Sequence, residues 1–190
     1  GDYYRRIGDF EKARIALERS LDIRERVFGP DRLEVADSLH GLGILNDNAG
    51  SFDEAEAQLR SALKIYETEL GPDHVSAAKC LANIAIVIAR QGRVEEAEPI
   101  FRRVLAIQEK DLGEDHPSVG EARENLAIAL KILHKFDEAG QLYRRNLEIQ
   151  EQVLGNDHPD VASTLQNFAN LHMEMGQVDT AEPLYLRSLE

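Results

Sequence analysis

Between Gly71 and Leu112 the apolar residues fall in two runs. Ala78, Leu81, Ala85 and Ile88 recur at steps of three and four, and after a polar break Val94, Ala97, Phe101, Val104 and Leu105 do likewise. This spacing puts each run on one face of a helix of about 3.6 residues per turn. No stretch alternates as a strand would. The segment therefore reads as a pair of helices.

The same pattern returns every 42 residues: Gly29, Gly71, Gly113 and Gly155 open the phrases GPDR, GPDH, GEDH and GNDH. The alanine column Ala13, Ala55, Ala97, Ala139 and Ala181 keeps the step through the whole chain without an insertion. A fixed period of this size marks stacked supersecondary units rather than one closed globule. The predicted organisation is a partial repeat at 1–28, full repeats at 29–70, 71–112 and 113–154, and a truncated repeat at 155–190. Both ends fall inside a unit. The expectation is a piece of a longer array, because a terminal repeat ordinarily carries a polar outer face.

Punctuation between the runs agrees with two helices per repeat. A second column, Gly8, Gly50, Gly92, His134 and Gly176, falls where the first helix stops. That place favours a left-handed residue without a Cβ, so His134 is expected to cost up to about 1 kcal/mol. Pro117 and Pro159 follow Asp-His and suit a first helical position. Pro99 and Pro183 lie near the start of the second helix, where a missing N–H is harmless within the first turn and predicts a local kink beyond it. The alanine column has a steric reading: a methyl at each equivalent point lets paired helices approach closely.

Composition narrows the class. Hydrophobic residues make up 43% of the chain and charged residues 30%, enough for a core and a solvated surface, and the balance of 22 basic against 35 acidic residues gives a net charge of −13. An excess of that sign repels nucleic acid and anionic membranes. The expected chain is cytoplasmic, with neither nucleic acid nor membrane among its partners. The longest apolar stretch, Leu81 to Ala89, is interrupted by Asn83 and is far short of the roughly 20 residues that span a bilayer. The single cysteine, Cys80, shares its column with Ser38, Ala122 and Thr164, so it reads as a small packed thiol.

Ala97, Phe101 and Val104 in the second helix, with Leu81, Ile84 and Ala85 in the first, resemble the tetratricopeptide repeat signature, lengthened here to 42 residues. The phrases LGEDHPSV and LGNDHPDVASTLQNFA, with AEPLYLRSLE after the glycine turn, are similar to the long repeats of kinesin light chains. The resemblance covers the entire chain. It implies an all-α fold, a right-handed α-solenoid of antiparallel helix pairs, whose first helices line a concave groove that takes a peptide. It also implies that the asparagine column Asn83, Asn125 and Asn167 faces the groove, where an amide can pair with both the N–H and the C=O of an extended guest. Gly41 replaces asparagine in the first full repeat.

Around that column the expected peptide-binding residues are Lys79, Asn83, Ile86, Arg90, Asn125, Ile128, Lys131, Asn167 and Asn170, with Leu171 near the apolar floor. Lys79 and Arg90, eleven residues apart, lie about three turns apart on one face and suit a ligand carboxylate. Kinesin light chains recognise acidic peptides with an aromatic anchor, and this pair is compatible with that, although Glu121 and Glu124 on the next first helix dilute the field. Counted over the predicted groove, Arg5, Arg6, Lys79, Arg90 and Lys131 stand against Asp2, Asp37, Asp47, Glu121, Glu124 and Glu174, so the acid excess lies mostly elsewhere. Arg123 occupies a column otherwise filled by Leu39, Leu81 and Leu165. Its stem is expected to pack while the head reaches solvent, with a specific ion pair as the sharper alternative.

The histidines His74, His116 and His158 also recur at the repeat period. Equivalent atoms of neighbouring repeats are separated by about 8 to 10 Å, whereas zinc ligands converge to about 2.0 to 2.3 Å from one ion. A helix-start role is expected instead, with no metal. Gly41-Leu42-Gly43 begins a dinucleotide fingerprint, but Asn46 stands at its third glycine and no strand precedes it. With no nucleophile elbow and no Cys-x-x-Cys, neither an enzyme nor a cofactor is expected. Two functions remain open: a scaffold that binds a partner peptide in its groove, and a regulatory or self-assembly module of a larger multidomain signalling protein carrying an NTPase or protease domain. End-to-end self-association of the fragment belongs to the second.

Overall fold

The computed structural model describes residues 10–189. Gly8 and the predicted groove charges Asp2, Arg5 and Arg6 lie outside them. Among the described residues there are nine helices and no strand: α1 (Phe10–Phe28), α2 (Leu33–Asn48), α3 (Phe52–Leu70), α4 (Val75–Arg90), α5 (Val94–Leu112), α6 (Pro117–Ile132), α7 (Phe136–Leu154), α8 (Pro159–Glu174) and α9 (Val178–Arg187). Helices α2, α4, α6 and α8 start at positions 42 residues apart, and α3, α5, α7 and α9 do so too.

Local chemistry accounts for these boundaries. At the start of α4, α6 and α8 a histidine ring accepts from the backbone N–H two residues on: His74 Nδ1 from Ser76 at 3.1 Å, His116 from Ser118 at 3.2 Å, and His158 from Asp160 at 3.2 Å. Each ring thereby satisfies one of the donors that a helix start leaves without an intrahelical partner. The recurring histidines are N-caps. No group of three or more metal-ligating side chains occurs among the described residues. At the far end of these helices the backbone turns left-handed, with φ of 80° at Gly50, 82° at Gly92 and 74° at Gly176, and 57° at His134. His134 closes the same pair of bonds as its glycine counterparts: its N–H reaches Lys131 O at 2.9 Å, and Lys135 N–H reaches Leu130 O at 2.9 Å. Pro99 sits in the sixth position of α5, which runs through it without interruption.

The chain divides into two compact units, residues 1–100 and 101–190. In the first, α1, α2, α3 and α4 pack each on the next, and α2 also touches α4. Its core holds Leu42, Leu45, Leu59, Ile84 and Ile88, each at most 2% exposed. In the second, α6, α7, α8 and α9 pack in the same order, and α6 touches α8. Leu126, Leu130, Tyr143, Leu165 and Leu171 form its buried centre. The five residues of the alanine column are all 0% exposed, as close helix pairing demands. Cys80 is buried at 0% exposure and its thiol donates to Leu59 O at 3.1 Å. The architecture is all-α, built of helix pairs packed consecutively.

Candidate functional site

Within each unit the two neighbouring first helices, α2 with α4 and α6 with α8, meet along their polar edges in one register. In the first unit Asn83 Nδ2 on α4 lies 2.7 Å from His40 Nε2 on α2, and Arg90 on α4 pairs with Asp47 on α2 at 2.8 Å. In the second unit Asn167 Nδ2 on α8 donates to Glu124 Oε1 on α6, and Lys131 on α6 pairs with Glu174 on α8 at 2.7 Å. Each of these four rungs joins residues 43 apart: one repeat plus one residue. Two members of the asparagine column are thus already tied to the preceding first helix through their NH₂ groups. Their amide oxygens make no hydrogen bond among the described residues.

Asn125 differs. The half-buried Asn125 amide has no hydrogen-bond partner among the described residues. Asn170 stands in the column of Ile86 and Ile128 and accepts from the Tyr185 hydroxyl on α9 at 2.6 Å. Ile86 and Ile128 are half-buried, the exposure of an apolar floor. Lys79 is exposed. Arg90, besides its ion pair, lies over the Phe52 ring at 5.1 Å from the centroid; a cation over a ring face is held by the ring quadrupole.

Burial pushes the Glu124 carboxyl above the usual carboxylate range, and the hydrogen bonds from Asn167 and Ser163 only partly oppose it. Arg123 corrects the expectation that its head reaches solvent. It is 2% exposed, and its guanidinium donates to Glu109 Oε1 at 2.9 Å and to the Glu114 carbonyl oxygen at 3.1 Å. The reason is the supply of acceptors: the end of α5 and the following loop present oxygens at the depth of the helix, so the head is satisfied without leaving it. His40 and Tyr185 were absent from the expected site, and Asp47 was expected there only as a groove charge. Counting columns at 43 as well as 42 picks out His40 and Asp47 as the partners of Asn83 and Arg90.

No helix among the described residues is long and apolar enough to cross a membrane. A search of curated protein sequences finds no match. Solved structures do match in fold. A crystal structure from Podosopora anserina of nearly identical TPR-like repeats, described as kinesin light chain, is 25% identical, with a TM-score of 0.86 over 98% of this chain and 89% of that one. BtubC (BKLC) from P. vanneervenii is 24% identical, with a TM-score of 0.86 over 98% of this chain and 74% of that one. The apo form of RapI is 18% identical, with a TM-score of 0.85 over 98% of this chain and 65% of that one. A family model for the tetratricopeptide repeat matches residues 1–68, 76–145 and 118–190, nearly the full length. Helix pairs at a constant period, capped alike and joined through buried alanines, belong with that match: this chain is a member of the tetratricopeptide repeat family.

Proposed function

We propose that the chain is a protein-binding module whose units each hold extended partner sequence against their first helices, α4 in the first unit and α6 and α8 in the second. Tetratricopeptide repeats generally mediate protein–protein interaction. The observation that carries the finer reading is Asn125: a half-buried amide on the first-helix face with neither its donor nor its acceptor engaged. A peptide backbone has both complements, and each pairing contributes roughly 0.5–1.5 kcal/mol. The oxygens of Asn83 and Asn167 add acceptors on the same kind of face, Ile86 and Ile128 provide apolar contact, and Lys79 supplies a charge.

Selection from a random-peptide display library tests this. Enriched peptides should lose about tenfold in affinity against Asn125→Ala, equivalent to about 1.4 kcal/mol, while the helical circular dichroism of the variant stays unchanged. Lys79→Ala should weaken the acidic peptides among them. Library peptides that bind both variants as they bind the parent chain would refute the assignment.

A further inference from the structure

The third repeat departs from its siblings at three columns that converge in space. Gly120 stands where the others have Ala36, Ala78 and Ala162, Arg123 replaces leucine, and Asn146 takes a column of Ser20, Ala62, Val104 and Ser188. All three line a cavity of about 290 Å³ in the second unit, at the starts of α6 and α8 and the end of α7. It lies on the loop side of the repeat.

Two features define what this cavity can hold. Its wall carries the carboxylates of Glu114, Asp115, Glu121, Glu124 and Asp160 and one guanidinium, that of Arg123; Arg123 is already engaged by Glu109 and Glu114, and Glu114 also pairs with Arg145 at 2.6 Å, which leaves the other four carboxylates to set the charge of the wall. Asn146 is 1% exposed and its Oδ1 has no hydrogen-bond partner. Its amide orientation follows from its neighbours: the Thr164 hydroxyl donates to Gln150 Oε1 at 2.8 Å, so Thr164 Oγ1 can only accept, and Asn146 Nδ2 faces it at 3.5 Å. Oδ1 is left turned toward Gly120, where a Cβ would stand 3.2 Å from it. A buried acceptor without a donor is costly; Oδ1 is closed to solvent, so a donor reaches it by a small shift of the Asn146 and Gln150 side chains beside Gly120, where no methyl stands in the way. Ile149, Val153 and Leu154 line the same cavity with apolar surface.

We propose that this cavity binds a cationic alkyl side chain, arginine or lysine, of a partner protein, with the stem along Ile149, Val153 and Leu154 and the head between Glu124 and Asn146 Oδ1. A guanidinium or ammonium brings only donors and a positive charge, matching a wall that offers acceptors and negative charge. Burial of Glu124 raises its carboxyl pKa, and a cation beside it supplies the charge that burial withholds. Only the origin of the side chain, a partner protein, rests on the function proposed above; binding in the cavity is tested without it.

The experiment is a titration of the chain, followed by ¹H–¹⁵N NMR, with acetyl-arginine methylamide, acetyl-lysine methylamide, the neutral isostere acetyl-citrulline methylamide, and putrescine. The arginine or lysine derivative should shift the Asn146 side-chain NH₂ and the Gly120 amide saturably, with a Kd of the order of millimolar as befits a fragment, and citrulline should bind at least tenfold more weakly. The tighter of the two names the guest side chain. Gly120→Ala should cut that binding at least fivefold without lowering the melting temperature, since alanine favours the helix. Glu124→Gln, which keeps an acceptor for Asn167, should do the same through charge alone. Equal binding of citrulline, shifts confined to other residues, absence of binding by both cations, or a folded Gly120→Ala that binds as the parent does would each overturn the assignment, as would putrescine binding tighter than either derivative. Binding here with no selected peptide on the first-helix face would sink the groove reading and leave this one standing.

Discussion

Replacing each asparagine of the column by alanine, one at a time, separates structural rungs from ligand-facing amides, because the three positions are equivalent in sequence and differ only in partner. Alanine improves helix propensity by up to about 0.7 kcal/mol at each site, a common offset. At Asn125 nothing is lost, so the variant should be unchanged or slightly more stable. At Asn83 a neutral bond to His40 at 2.7 Å disappears, worth about 0.5–1.5 kcal/mol, and the half-buried ring can recover part of it from water. The net cost is about 0.5 kcal/mol. At Asn167 the lost partner is the Glu124 carboxylate, a charge-assisted bond worth about 1.5–3 kcal/mol, for a net cost of about 1–2 kcal/mol. For a chain of 190 residues each kcal/mol moves the melting temperature by about 2–4 °C. Thermal melts by circular dichroism should therefore rank the variants Asn125→Ala, Asn83→Ala and Asn167→Ala from most to least stable. An Asn125→Ala variant as destabilised as Asn167→Ala would show that Asn125 has a structural partner and refute the reasoning.

Three further outcomes follow from the geometry. A Cβ at Gly43 would lie 2.5 Å from Leu59 Cγ and 3.3 Å from the Ala55 carbonyl oxygen, so Gly43→Ala should overpack the α2–α3 pair by about 1–3 kcal/mol and lower the urea midpoint despite better helix propensity; a raised midpoint would contradict the packing. Burial, with the Glu67 charge nearby, pushes the Cys80 thiol up to about 12, so a chromogenic disulfide at about pH 8 should leave native protein unlabelled and take up one equivalent in denaturant; rapid native labelling would refute this. The Glu124 carboxyl, raised from its ordinary 4.5 by burial, binds its proton more readily in the folded chain than in the unfolded one. Its contribution to stability is present below the unfolded value and is lost as pH rises through the folded value. Glu124→Gln should accordingly gain stability relative to the parent as pH rises above the ordinary carboxylate value of 4.5, and a pH-independent difference would disprove the burial argument.

Much of this was legible because the signals are local. The apolar steps of Ala78, Leu81, Ala85 and Ile88, the His-Pro starts at Pro117 and Pro159 and the glycine stops each involve residues within a turn or two of one another. Even His134 takes the left-handed conformation its column requires. The alanine column was read as a contact between paired helices and is buried throughout. Arg123 was misread for the converse reason: a charged residue in a leucine column says that something must satisfy it, and the acceptors on Glu109 and Glu114 come from a helix end and a loop that no period links to it.

The amino-acid sequence by itself determined the helices, their lengths, the 42-residue step and the residue types on each face, since helix periodicity and capping depend on neighbours along the chain. Packing alone decided the offset between the paired first helices of each unit, hence that their side chains meet at 43 rather than 42. That single residue of slip sets Asn83 against His40 and Asn167 against Glu124, because a hydrogen bond depends on which side chain lies within about 3 Å, and the chain order does not encode that distance.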